Sequence, residues 1–301
     1  MFYREKTSYM NCKIALVYKQ TQQATVGSYW QRALVSLGYD VEILSPLAIK
    51  SILENIGLLI RVDDGEYTSD EVSILKNLAS RPQTIYYAID THFPLSFQKN
   101  LAIAKNYDRV LCAQYNGVEQ LKRASIKADW LPLACDPELH KKGNVPKKYT
   151  IGFVGGDHLD GPRKYILQEL RERYPDSYID QAPSEQMGQI YSASKIGFNL
   201  SAAGDVNMRF FEILACGTFL LTDRIQGNGL EQLGFKEGTH YVAYSSFKEL
   251  FEKVRFYLEN EREREQIACM GHQVTAQGHT YAIRLKQLLE RESMNFLCLK
   301  N

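Results

Sequence analysis

The chain has 301 residues, 45% of them apolar and 24% charged, with a net charge of +1. That is a globular composition, long enough for two domains of roughly 150 residues, and too near neutral to recruit nucleic acid or an anionic membrane through a global field. Six scattered cysteines form no Cys-x-x-Cys pair, which argues against a disulfide framework or a zinc site, and the early apolar run at 14–17 is too short for a signal peptide or a membrane span. The location these features predict is the cytoplasm.

Residues 13–18 predict an opening strand, 28–37 a helix closed by Gly38, and 40–45 a second strand. This strand–helix–strand opening is that of a Rossmann-like domain, although no Gly-x-Gly-x-x-Gly follows the first strand. Residues 57–62 read as a third strand, 69–79 as a helix and 83–89 as a fourth strand, which runs into Asp90, Thr91, His92, Phe93 and Pro94. Just past a strand C-end, Asp90 and His92 are candidates for proton transfer. The bland alternative is a capped loop with a packed histidine. Residues 109–113 predict another strand and 117–123 a helix. A segment from Ala128 through Leu131, Pro132, Leu133, Ala134, Cys135, Asp136 and Pro137 then ends the first domain, assigned to 1–142. Residues 140–148 have the Gly, Pro and lysine content of a linker.

The second domain, 143–301, opens with a strand at 149–154, followed by Gly155 and Gly156 and a helix at 162–174 that begins with Arg163 and Lys164. A glycine pair between strand and helix lets a phosphate approach backbone N–H groups, and it equally suits any tight turn. Residues 177–181 predict an edge strand and 184–193 a helix. Ile196, Phe198 and Leu200 alternate as in a strand. Asp205 and Asn207 are candidate caps for a helix in which Phe210, Ile213 and Leu214 share the buried face, while Arg209 and Glu212 share another. Gly217 closes that helix, and 218–221 is a buried strand. Gln226, Gly227, Asn228, Gly229 and Leu230 form a glycine-rich loop expected to start a short helix. Residues 238–244 predict a last strand, with helices at 247–257, 261–270 and 279–289. Asn207 and Arg209, at a helix N-terminus beside strand C-ends, suit an anion; an ordinary solvated ion pair of Arg209 with Glu212 is the alternative.

The run from Ile196 to Asp223, the segment Tyr107–His140 with its Leu-Pro-Leu-Ala-Cys-Asp-Pro signature, and the stretch from Asp90 to Pro94 resemble the CgeB-like glycosyltransferases, relatives of glycosyltransferase group 1. The resemblance covers about residues 13–289. It implies an α/β fold of GT-B architecture, two Rossmann-like domains facing a cleft, with a terminal helix crossing back to the first. It implies a hexosyltransferase-type enzyme that takes a UDP- or GDP-linked sugar and passes it to a glycan, lipid, protein or small-molecule acceptor that the residues do not name. No further cofactor and no metal ligand set is implied, and no Asp-x-Asp occurs: Asp63 and Asp64 are adjacent. By the resemblance Glu212 matches the carboxylate that holds the donor ribose, and Arg209 the cation at the diphosphate. Arg163 and Lys164 match a second basic position, the Gly227 loop lies over the donor, and His92 is a cleft residue. The two-glutamate form of the motif is absent, with Asp205 standing seven residues before Glu212. Inversion would use a base such as Asp90 or His92; retention would not require one. A sugar-nucleotide epimerase, a nicotinamide-dependent dehydrogenase and a catalytically silent nucleotide-binding module are the rival readings.

Overall fold

Short apolar runs closed by polar or glycine punctuation become strands, and all the pairings between those strands are parallel. The computed structural model describes residues 13–20, 25–51, 56–65, 71, 73, 75, 82–156, 161–201 and 203–299. The chain divides into two units, Met1–Pro132 with Tyr281–Asn301, and Leu133–Thr280. The sequence reading had put the change of domain at 142/143.

In the first unit β1 (Lys13–Val17), β2 (Val41–Leu44), β3 (Ile56–Val62), β4 (Gln83–Ala88), β5 (Arg109–Cys112) and β6 (Ala128–Trp130) lie in the order β2-β1-β3-β4-β5-β6. A parallel sheet is covered on both faces, so its strands are apolar throughout; Ile14, Ala15, Leu16 and Val17 are all fully buried. Helix α1 (Val26–Ser36) starts at a capping box between Thr25 and Ser28 and lays Trp30 on Tyr87, with ring centroids 4.7 Å apart. Helix α2 (Pro94–Ala104) was not foreseen. Pro94 read as the end of a loop, whereas proline in a first turn starts a helix without losing a needed donor. Helix α3 (Tyr115–Arg123) follows β5. The helix expected over residues 69–79 falls mostly outside the described residues.

In the second unit β7 (Tyr149–Val154), β8 (Tyr178–Asp180), β9 (Ser194–Asn199), β10 (Phe219–Asp223) and β11 (Val242–Tyr244) take the order β11-β10-β9-β7-β8, which leaves β8 at an edge as expected. The helices are α4 (Pro162–Arg173), α5 (Ser184–Ser192), α6 (Met208–Ala215), α7 (Phe247–Glu259) and α8 (Glu261–Gly278). On one face Ile151, Phe153, Ile196, Phe198, Phe219 and Leu221 pack with Leu167, Leu170, Leu250, Val254 and Ile267 from the covering helices. The opposite face is kept low. Gly197 points at α6, and a Cβ there would run into the Ile213 side chain. Helix α6 therefore sits close to the sheet, with Phe210, Ile213 and Leu214 fully buried. Gly217, at φ 68, turns the chain out of α6 into β10.

The final helix α9 (Tyr281–Leu299) belongs to the first unit and packs on α1, with Tyr281 5.7 Å from Tyr29 between ring centroids. Residues 140–148, a linker by composition, are pinned within the second unit. Gly143 N–H donates to Ser192 Oγ (2.8 Å), and Lys147 Nζ donates to Ser192 O (3.0 Å) and Ser194 O (2.9 Å) at the end of α5. Composition could not show this, because a lysine that caps a helix C-terminus reads like any solvated lysine. Residues 224–234 form bends and turns, and the short helix expected after Gly227 is not there. Among the described residues no helix is long and apolar enough to cross a membrane.

The low glycine face makes a stability prediction. Gly197→Val forces Ile213 and α6 away from the sheet, and overpacking of this kind costs about 1–3 kcal/mol. Circular dichroism melting should show a Tm several degrees lower; an unchanged Tm would mean that the sheet face has room to spare.

Candidate functional site

An open parallel sheet binds ligands beyond its strand C-ends, where the chain order reverses. In the second unit that point lies between β7 and β9. Arg209, on the second residue of α6, reaches across it. Its Nε donates to Val154 O at the end of β7 (3.0 Å), and its Nη1 donates to Asn199 Oδ1 at the end of β9 (3.3 Å). The guanidinium lies over the Phe153 ring, 4.3 Å from the centroid. Asn199 is itself oriented, since its Nδ2 donates to Thr222 Oγ1 (3.1 Å). Gly155 leaves room for this guanidinium, because any Cβ would collide with Arg209 Nη2. Its own N–H donates to Asp180 O (3.1 Å), so that amide is not available for the phosphate contact the glycine pair suggested. Gly156 follows, half-buried.

Arg163, on the second residue of α4, donates through Nη2 to Leu200 O at 2.5 Å. Burial lowers its pKa, and the neighbouring Arg209 charge lowers it further, while Asp223, Asp205 and Tyr244 act the other way. Neither guanidinium has a carboxylate in ion-pair range among the described residues. Two mutually repelling, partly buried cations thus lie side by side beyond the strand C-ends. The solvated Arg209–Glu212 ion pair is thus not what α6 carries.

The floor of the site is built by Ser201, Asp223 and Tyr244, which the sequence does not mark as candidates, with Asp205, which it offers as a helix cap. Asp223, closing β10, accepts the Ser201 N–H (2.8 Å) and the Ser201 hydroxyl, and Ser201 Oγ accepts the Gly204 N–H (2.9 Å). Asp205 is buried, and its Oδ1 has no hydrogen-bond partner among the described residues; the same holds for the Tyr244 hydroxyl at the end of β11. Burial, and then the Asp223 charge, hold that phenol well above its ordinary pKa. Asn199, Asp223 and Tyr244 are the last residues of β9, β10 and β11. Polar residues that close apolar runs were the legible signal for them.

Asn207 is the N-cap of α6, its side chain accepting the Phe210 N–H (3.2 Å); Asp205 is not the cap. Gly227 has φ 67 and sits in an exposed turn. Its neighbour Asn228 ties that turn to the floor, donating through Nδ2 to Gly204 O (2.6 Å). Glu212 is buried on α6 and faces His140, with Nε2 to Oε1 at 3.7 Å.

Asp90 and His92 belong to the first unit. Asp90 is exposed with φ 56, a left-handed conformation that aspartate tolerates better than most residues, and its carbonyl accepts the Phe93 N–H (3.0 Å). His92 packs on Phe93 at 4.1 Å, and neither ring nitrogen has a hydrogen-bond partner among the described residues, so Asp90 does not orient it. Asp63 and Asp64 are engaged inside the first unit. Asp63 accepts from Gly65 N (3.0 Å) and Asn100 Nδ2 (3.1 Å), and Asp64 accepts from Arg61 Nη2 (3.0 Å).

Residues 150–290 match the family model described as "Glycosyl transferase-like". No curated protein matches the chain. Among solved structures it is similar to Anabaena HepE in complex with UDP and glucose, at 13% identity and a TM-score of 0.66 over 94% of this chain and 100% of that one. It is also similar to sucrose-phosphate synthase from Thermosynechococcus elongatus, at 12% identity and a TM-score of 0.63 over 93% and 98% of the two chains. A third similar structure is T4 phage BGT in complex with UDP-glucose, at 13% identity and a TM-score of 0.62 over 93% and 99%. The chain has the GT-B fold of two Rossmann-like units, and residues 150–290, most of them in the second unit, are similar to the glycosyl transferase-like family.

Proposed function

We propose that this chain is a CgeB-like glycosyltransferase that moves a hexosyl group from a nucleoside diphosphate sugar to an acceptor, without a metal ion. The observation that carries the reading is the pair of guanidiniums without carboxylate partners, Arg209 and Arg163, at the switch point of the second unit. The diphosphate lies between them, against the first turn of α6 above Asn207. As the bond from the anomeric carbon to the phosphate oxygen breaks, negative charge grows on the leaving diphosphate. Two fixed cations and a helix N-terminus stabilise that charge more than they stabilise the intact donor. Glu212 takes the ribose hydroxyls, and the turn at Gly227 lies over the sugar. UDP-glucose is the first donor to test, because HepE and T4 phage BGT have been crystallised with it.

On the acceptor side, His92 has unpartnered ring nitrogens, and the neutral ring offers one lone pair to an acceptor hydroxyl proton; Asp90 is the second candidate for that base. A reducing, cytoplasmic setting fits Cys112 and Cys216, buried thiols that form no disulfide.

Calorimetry with UDP tests the donor site. Arg209→Gln removes a charge-assisted contact worth about 1.5–3 kcal/mol, so affinity should fall at least roughly tenfold, and less steeply at high salt. Unchanged affinity in a folded Arg209→Gln would remove α6 from the site.

Cation-assisted departure also predicts metal independence. UDP release from UDP-glucose should run equally fast in excess EDTA and in magnesium. Activity lost in EDTA and restored by a divalent ion would overturn that part of the reading.

A further inference from the structure

Beyond the C-ends of β4 and β5, in the first unit, three buried polar atoms have no hydrogen-bond partner among the described residues. They are the two ring nitrogens of His92 and the amide nitrogen Nε2 of Gln114. The two strands are neighbours, and the chain leaves them side by side, with Ala113 N–H donating to Ala88 O (2.9 Å). Gln114 is the N-cap residue of α3, yet its side chain makes no cap bond. It turns back to Thr91 instead and is only 5% exposed.

The direction of that amide follows from what Thr91 offers. The Thr91 backbone N–H can only donate, and it meets the Gln114 side chain at 3.3 Å, so the atom there is the carbonyl oxygen Oε1. The Thr91 hydroxyl donates to the same oxygen at 3.3 Å. Helix α3 presses on this contact, for a Cβ on Gly117 would strike Thr91 Oγ1. Cys112 Sγ donates to Gln114 O (3.3 Å), and burial pushes that thiol up to about 11, so it keeps its proton. With its oxygen anchored, the amide presents Nε2 as a fixed donor that meets no acceptor. His92 follows Thr91 directly, and its neutral ring carries a lone pair that meets no donor. An N–H held by Thr91 and a lone pair on the next residue match the two needs of one hydroxyl, whose oxygen accepts and whose proton is given. Buried polar groups left open are unfavourable, which favours a ligand that fills both.

The surroundings of this pair are apolar and largely aromatic. Phe93 packs on His92 at 4.1 Å between ring centroids and is exposed. Tyr115, the first residue of α3, is exposed and meets the half-buried Trp130 ring edge-on at 4.9 Å. Leu95, in the first turn of α2, is 80% exposed. A sugar carries many hydroxyls and needs a polar partner for most of them. Two polar functions within an aromatic rim suit a single hydroxyl on an aromatic body.

We propose that this end of the first unit binds the acceptor, and that the acceptor is a phenol or aryl alcohol whose hydroxyl oxygen takes the Gln114 Nε2–H while its proton faces His92. This rests on the reading of His92 as the acceptor-side base.

The test uses the full chain, with 4-methylphenol as the aromatic probe and methyl glucoside as the polar one, titrated by saturation-transfer NMR. Gln114→Glu keeps an oxygen for Thr91 and removes the N–H. Leu95→Asn alters an exposed side chain and leaves the polar pair untouched. Affinity for 4-methylphenol should fall about fivefold or more in Gln114→Glu and about twofold or more in Leu95→Asn. UDP affinity should be equal to that of the wild type in both, which separates a lost contact from a weakened fold. If Gln114→Glu does not fold, Gln114→Met, equally long and without a donor, takes its place. A wild type that does not bind 4-methylphenol at millimolar concentration, or a Gln114→Glu protein that binds it as tightly as the wild type, would overturn the proposal. Methyl glucoside bound as tightly as 4-methylphenol would overturn the aromatic class. Binding that depends on Gln114, with UDP release from UDP-glucose no faster when 4-methylphenol is present, would overturn the acceptor role and the reading of His92 as its base.

Discussion

The second unit depends on one reach: the Arg209 guanidinium, carried by α6, bonded at once to the last residues of β7 and β9. An arginine in that position is costly without compensation, since it is partly buried and sits beside Arg163. Much of the local architecture is what permits it. Gly197 lets α6 approach the sheet, Gly155 clears space for the guanidinium, Phe153 offers a ring face, and Asn199 turns its carbonyl oxygen toward it because Thr222 holds the other end of the amide. The fold supplies backbone and amide oxygens but no carboxylate. It satisfies the hydrogen bonds of Arg209 while leaving its charge uncompensated.

Both sheets begin with the same strand order, second-first-third-fourth-fifth, so both have a switch point beside their first strand. The two points differ in charge. In the first unit the buried Arg61 at the end of β3 is neutralised by Glu71 (3.1 Å) and Asp64 (3.0 Å). In the second unit the corresponding region holds two cations without such partners. The same topology thus holds a paired, closed arginine in one unit and two arginines without carboxylate partners in the other, and the difference lies in a few side chains.

Most of the fold was legible because parallel strands are buried on both faces and read as unbroken apolar runs. Residues 13–18, 149–154 and 109–113 are examples. Helix α2 was missed because a helix that opens on Pro94 looks like a loop to a reader of breakers, and its Asn100 is a polar residue buried by tertiary contacts rather than by local pattern. The positions of Arg209 and Arg163 at helix starts beside strand ends were legible in the sequence. The phosphate role of the Gly155 amide was misread, since which carbonyl an amide meets depends on the neighbouring strand, here on Asp180. The burial of His140 was illegible. It lies in a lysine-rich run that reads as a linker, and only the packing of α5 and the turn at Asp136 makes it a buried neighbour of Glu212.

The central claim is that the second unit binds a nucleoside diphosphate through these two arginines. A crystal structure of the protein soaked with UDP tests it most directly. The account predicts diphosphate oxygens within hydrogen-bond distance of both Arg209 and Arg163, with the ribose turned toward Glu212. UDP bound in the first unit, or in the second with both guanidiniums still facing only protein oxygens, would contradict it.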